Sequence, residues 1–133
     1  MNFLLSGYYG FGNAGDEAVL AAILQSILAQ QASARFTVTS GNPRQTVQCF
    51  NSAGTPVSAI PRQEPRALLR ALRGCDAFIS GGGSLLQDVT SLRNVVYYTA
   101  LIRFAQVLRK PVMIYAQGVG PLRRPIAQRL ARR

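Results

Sequence analysis

Residues 2–24 read NFLLSGYYGFGNAGDEAVLAAIL, and the change of rhythm inside this stretch decides the fold. Asn2–Ser6 is a short apolar run that stops at Gly7, the pattern of a buried strand. From Gly15 to Gln31, Leu20, Ile23, Leu24, Ile27 and Leu28 recur at helical spacing, so one face of a helix is apolar. A strand, a glycine-rich turn and a helix in that order open a βαβ unit.

The same alternation continues outward. Arg35–Ser40 (RFTVTS), Pro56–Ile60, Asp76–Ser80 and Pro111–Ala116 read as further strands. Pro43–Phe50, Pro65–Arg73 and Ser91–Arg109 read as the helices between them, and Pro121–Arg133 as a last helix. Ser91–Arg109 is apolar around most of its circumference, with a narrow polar stripe at Thr99, Arg103, Gln106 and Lys110. Near-continuous apolar strands suit a sheet covered on both faces, joined by right-handed crossovers. The expected architecture is a single α/β domain over residues 1–133, a Rossmann-like doubly wound parallel sheet of about five strands. RRPIAQRLARR (123–133) reads as an open helix with no glycine cap and no strand after it, as at a domain boundary.

Composition narrows the functional classes. The chain has 133 residues, 48% of them hydrophobic, which is enough for a buried core and excludes disorder. No run of eighteen apolar residues occurs, and the N-terminus lacks the charged start of a signal peptide, so a cytoplasmic location is expected. Cys49 and Cys75 have no metal-ligand spacing and read as reduced, buried thiols. The sequence contains no His, so a His-based metal site is excluded within it. The net charge is +10, from 15 basic and 5 acidic residues. That balance attracts phosphate, phospholipid or nucleic acid, although an Arg-rich composition also follows from a GC-rich genome. No RNP aromatics, zinc-finger spacing or helix-turn-helix appears, so no nucleic-acid partner is expected. Arg62, Arg66, Arg70 and Arg73 fall on one helical face. They read as a solvated basic face, or as a contact with an anionic membrane surface at roughly 1 kcal/mol each.

In an open parallel sheet, ligands bind outside the carboxyl ends of the strands. GYYGFGNAGDE (7–17) follows strand one, SGNP (40–43) strand two, SGGGSLLQD (80–88) strand four, and QGVGP (117–121) strand five. Nine of the twelve glycines fall in three of these loops, where backbone N–H groups can approach an anion or a sugar oxygen. Gly10, Gly12 and Gly15 match G-x-G-x-x-G, a dinucleotide spacing. However, strand two ends without the acid that would hold a ribose, and Asp16 and Glu17 would repel a pyrophosphate. These two acids fit a sugar-hydroxyl acceptor or internal capping. Asp16 reads equally as a helix-terminus contact or a functional carboxylate. Asp88, five residues beyond Gly83, reads as a cap of the next helix or as a general base.

Taken together, GYYGFGNAGDEAVL (7–20), SGGGSLLQDVTSLRNVVYY (80–98) and KPVMIYAQGVGPL (110–122) resemble the polysaccharide pyruvyl transferase family. The resemblance implies transfer of pyruvate from phosphoenolpyruvate to a sugar as a ketal, on a cell-wall or exopolysaccharide precursor. It implies a fold like the N-terminal domain of a GT-B enzyme, with the site in an interdomain cleft. It places the basic residues for phosphoenolpyruvate, including a His, in a C-terminal domain, so this sequence corresponds to the N-terminal half. The implied partners are phosphoenolpyruvate, a glycan acceptor (free or lipid-linked), the C-terminal domain, the inner face of the membrane and further copies of the chain. On this reading Asp88 is the base, and Asp16 with Gly12–Gly15 positions the acceptor. Asn13, Glu17, Gly81, Gly82, Gly83, Ser84, Gln117 and Gly118 complete the binding surface. No cofactor, metal or nucleotide is required. The alternatives are a nucleotide-sugar-dependent GT-B glycosyltransferase and a stand-alone nucleotide- or anion-binding module.

Overall fold

The computed structural model describes residues 1–83, 85–87 and 92–131. Five strands form one all-parallel sheet in the order β3-β2-β1-β4-β5. They are β1 (Asn2–Ser6), β2 (Arg35–Ser40), β3 (Val57–Pro61), β4 (Ala77–Gly81) and β5 (Val112–Tyr115). The helices are α1 (Ala14–Gln30), α2 (Pro43–Ser52), α3 (Pro65–Gly74), α4 (Leu92–Val107) and α5 (Pro125–Ala131). The doubly wound Rossmann-like fold expected from the alternation is the observed one.

Two apolar layers explain why the central strands carry apolar residues at consecutive positions. Leu5, Val38 and Ile79 pack with Leu20, Ile23 and Leu24 of α1 and Phe50 of α2. Leu4 and Phe78, one residue out of phase, pack with Leu68 and Leu72 of α3 and Leu101 and Ala105 of α4. Each fully buried Leu in these layers is worth roughly 1.5–3 kcal/mol over an exposed one. Ile27 and Leu28 complete the expected stripe of α1 but are only partly buried. β5 is the edge of the described sheet, and Met113, Ile114 and Tyr115 are exposed there, unlike the doubly covered inner strands.

Helix starts follow local chemistry. Asn13 and Asn42 cap α1 and α2 with their side chains, accepting from Gly15 N (3.1 Å) and Gln45 N (3.3 Å). Proline occupies the start of α2 and α3, where its missing N–H costs nothing. Lys110 closes the far end of α3, donating to the carbonyls of Arg73 (3.0 Å) and Cys75 (2.7 Å).

Several sequence expectations are corrected. Asp16 is not the cap of α1, because Asn13 takes that position. Arg62 is not on α3, which begins at Pro65. Thr99 is buried and not part of an exposed stripe, because its hydroxyl donates to Val95 O (2.6 Å) within the helix. Cys49 is exposed on α2, whereas Cys75 is buried. The last helix starts at Pro125, four residues later than the periodicity predicts, and the turn before it is held by Gln128 Nε2 on Leu122 O (2.9 Å).

Candidate active site

Strand order reverses between β1 and β4, so their crossovers leave in opposite directions and open a crevice at the carboxyl edge. The loop after β1 is tied to its neighbours on both sides. Gly41 N donates to Tyr9 O (2.9 Å), and Gly10 N donates to Glu17 Oε1 (2.7 Å). The Tyr9 ring is fully buried, and its hydroxyl donates to Gly81 O (2.7 Å), tying the β1 loop to the end of β4. Burial raises the Tyr9 pKa far above its ordinary value, and the nearby Asp16 charge acts in the same direction. A Tyr9→Phe variant leaves a buried carbonyl without its partner. It should lose about 1–3 kcal/mol of unfolding free energy in urea.

The loops after β4 and β5 are joined as well. Gly82 N donates to Tyr115 O (3.3 Å), Gly118 N to Gly83 O (2.9 Å) and Gly120 N to Leu86 O (2.8 Å). Leu86 and Val119 form a parallel bridge between the two loops. The amides of Gly10, Gly15, Gly82, Gly118 and Gly120 are therefore committed to the protein itself. Glycine at this edge largely knits loops together.

Asp16 is buried at the start of α1, and its carboxylate faces the Gly83 backbone so closely that a side chain at 83 would collide with Asp16 Oδ1. Desolvation raises its pKa above the ordinary Asp value. Asp16 and Gly83 thus meet across the crevice, as do Gly81 and Gly82 with the Tyr9 ring. Glu17 is the lock on Gly10, and Asn13 is the helix cap. Gly12 of the loop and Gly15 in the first turn of α1 are exposed. Gln117 accepts from Ser80 Oγ through Oε1 (2.8 Å), while its buried Nε2 has no hydrogen-bond partner. Ser84 and Asp88 lie outside the described residues.

The sequence reading missed an aromatic cluster around Arg62. This residue follows β3 at the same edge, with its N–H donating to Ser40 O (3.1 Å). Its guanidinium carbon lies 4.6 Å from the Tyr97 ring centroid, 5.3 Å from Phe11, 5.6 Å from Tyr98 and 5.9 Å from Tyr8. Tyr97 Oη donates to Arg62 O (3.0 Å), fixing the turn. Tyr98 is 1% exposed, and its hydroxyl has no hydrogen-bond partner. Burial pushes its pKa up to about 12, against the opposing pull of Arg62. Beside this cluster a groove of about 870 Å³ continues over Leu68 of α3 and Phe104 of α4. Pro65 was the available signal, since a helix starting there leaves Arg62 in the loop.

The family model described as "Polysaccharide pyruvyl transferase" matches residues 13–133, most of the chain. The chain belongs to the polysaccharide pyruvyl transferase family. No curated protein sequence matches it. The matched span includes Asp16, Arg62, Gly81–Gly83, Tyr97, Tyr98 and Gln117, whereas Tyr8, Tyr9, Gly10 and Phe11 of the β1 loop precede it. Among the described residues, no helix of this transferase-family chain is long and apolar enough to cross a membrane. Nor do the described residues contain a group of three His, Cys, Asp or Glu side chains able to hold a metal ion.

Proposed function

We propose that this domain is the acceptor-binding half of an enzyme that transfers pyruvate from phosphoenolpyruvate to a sugar as a cyclic ketal. The observation that carries the reading is Asp16, a desolvated carboxylate held against Gly83 at the carboxyl edge of a pyruvyl transferase-family sheet. In the reaction, one sugar hydroxyl adds to C2 of phosphoenolpyruvate and C3 takes a proton. The second hydroxyl then closes on C2 as inorganic phosphate leaves with its oxygen. A carboxylate that accepts a hydroxyl proton or fixes its direction accelerates the first step. Asp16 positions the acceptor in this scheme, and Asp88 is the base. Gln117, through its buried amide donor, offers a hydrogen bond to a sugar oxygen. A second α/β domain supplies further cations for the departing phosphate. The acceptor belongs to a cell-wall or exopolysaccharide precursor handled in the cytoplasm.

The test is phosphate release from phosphoenolpyruvate by the full-length protein with and without pyranose acceptors. Acceptor-dependent release should accompany a new ketal methyl signal by NMR. Asp88→Asn should lower turnover by about 10²-fold or more, and undiminished turnover would remove Asp88 from the base role. Tight binding of a nucleotide sugar without ketal formation would replace this reading with a glycosyltransferase.

A further inference from the structure

Most of the glycine amides at the carboxyl edge are already committed to loop contacts, so a ligand anion there needs a side-chain partner. Arg62 meets the requirement. Its backbone is pinned at both N–H and C=O, by Ser40 O and Tyr97 Oη. Its described neighbours are four aromatic rings and the Tyr97 and Tyr98 hydroxyls, which attract a guanidinium but carry no opposing formal charge. A planar, pre-oriented guanidinium matches two phosphoryl oxygens at once.

One further observation gives the rest of the ligand. Tyr8 and Phe11 stack on each other at 4.2 Å and 13°, yet are 38% and 44% exposed at the groove mouth. Exposed, rigid aromatic faces suit the apolar C–H face of a pyranose.

We propose that Arg62 is the phosphoryl-binding residue of a sugar-phosphate subsite, with the Tyr8–Phe11 stack as the platform for the sugar ring. This rests on the reading of the edge as the acceptor side. It gives the acceptor a chemical class: a pyranose carrying a phosphate ester. The groove beside Arg62, at about 870 Å³, has room for such a ligand.

Binding by full-length protein tests the subsite directly, with N-acetylglucosamine 1-phosphate, N-acetylglucosamine and inorganic phosphate as probes in calorimetry. Wild type should bind the sugar phosphate about tenfold or more tighter than the free sugar. Arg62→Gln should erase that difference, and Phe11→Leu should weaken both sugars while leaving inorganic phosphate unchanged. Arg62→Lys keeps the charge but loses the two-pronged geometry. It should still cost about threefold or more, and it serves if Arg62→Gln does not fold. Equal binding of the two sugars by wild type, or an undiminished difference in Arg62→Gln, overturns the subsite. So does an Arg62→Gln enzyme whose only defect is a raised KM for phosphoenolpyruvate, because the phosphoryl group would then be the donor's. Because the readout is binding, absence of ketal formation with Arg62-dependent discrimination intact would sink the proposed reaction and leave the subsite standing.

Discussion

An Asp16→Asn enzyme should lose about 10²-fold or more in kcat/KM for the acceptor while becoming more stable than wild type at neutral pH. The two effects have one cause. Burial against Gly83 raises the Asp16 pKa, so ionised Asp16 is held in the folded state at a cost. A group whose folded pKa lies above its unfolded value stabilises the fold fully only below the unfolded value, near 3.9 for Asp. That contribution is lost as pH rises through the raised, folded value. The stability advantage of Asp16→Asn should therefore be absent in strong acid, grow across this window and stay constant above it. Thermal unfolding of both proteins from pH 3 to 8 measures this. A variant that is both less stable and inactive at pH 7 would mark Asp16 as a fold residue. Gain of stability with loss of function is the pattern of a strained site.

Gly10→Ala should cost about 2–5 kcal/mol. Gly10 has φ +76°, a conformation that alone costs an L-residue roughly 1–2 kcal/mol. A Cβ at this position would also strike Ser40 Oγ and lie 2.7 Å from Asn42 N, and the latter is backbone. The collision pushes the β1 loop away from the β2 loop and breaks the Gly10–Glu17 lock. Gly12 is the control. Its φ is nearly the same, +74°, but a Cβ there meets nothing within 4 Å. Gly12→Ala should lose only about 1–2 kcal/mol. Urea midpoints of the two variants separate packing from backbone strain, and equal midpoints would contradict the role given to the Ser40–Asn42 contact.

The layers were legible because burial on both faces writes itself into the strands. NFLLS and RFTVTS are each followed by glycine, and the expected strands coincide with β1 and β2 residue for residue. The site was legible only as loops. The sequence brings Gly7–Glu17, Ser80–Asp88 and Gln117–Pro121 to one edge, but not which amides the protein uses for itself. Glu17 locking Gly10, and Gly118 donating to Gly83, depend on contacts between loops far apart in the chain. Arg62 was misplaced because its spacing to Arg66 and Arg70 imitates one helical face, although Pro65 interrupts it. The pairing of Arg62 with Tyr97 and Tyr98 crosses from the loop after β3 to α4 and leaves no local periodicity.

The joined loops after β4 and β5 carry a mechanical consequence. Gly118 and Gly120 hang from Gly83 and Leu86, and Gly83 is the backbone against which Asp16 rests. A displacement that enters at the far end of the sheet thus reaches the carboxylate through two amides, without passing through the core. These hydrogen bonds and the Leu86–Val119 bridge tie the described residues of the two loops together. Their amide protons should exchange with solvent at a common rate, which a ligand touching either loop would slow for both.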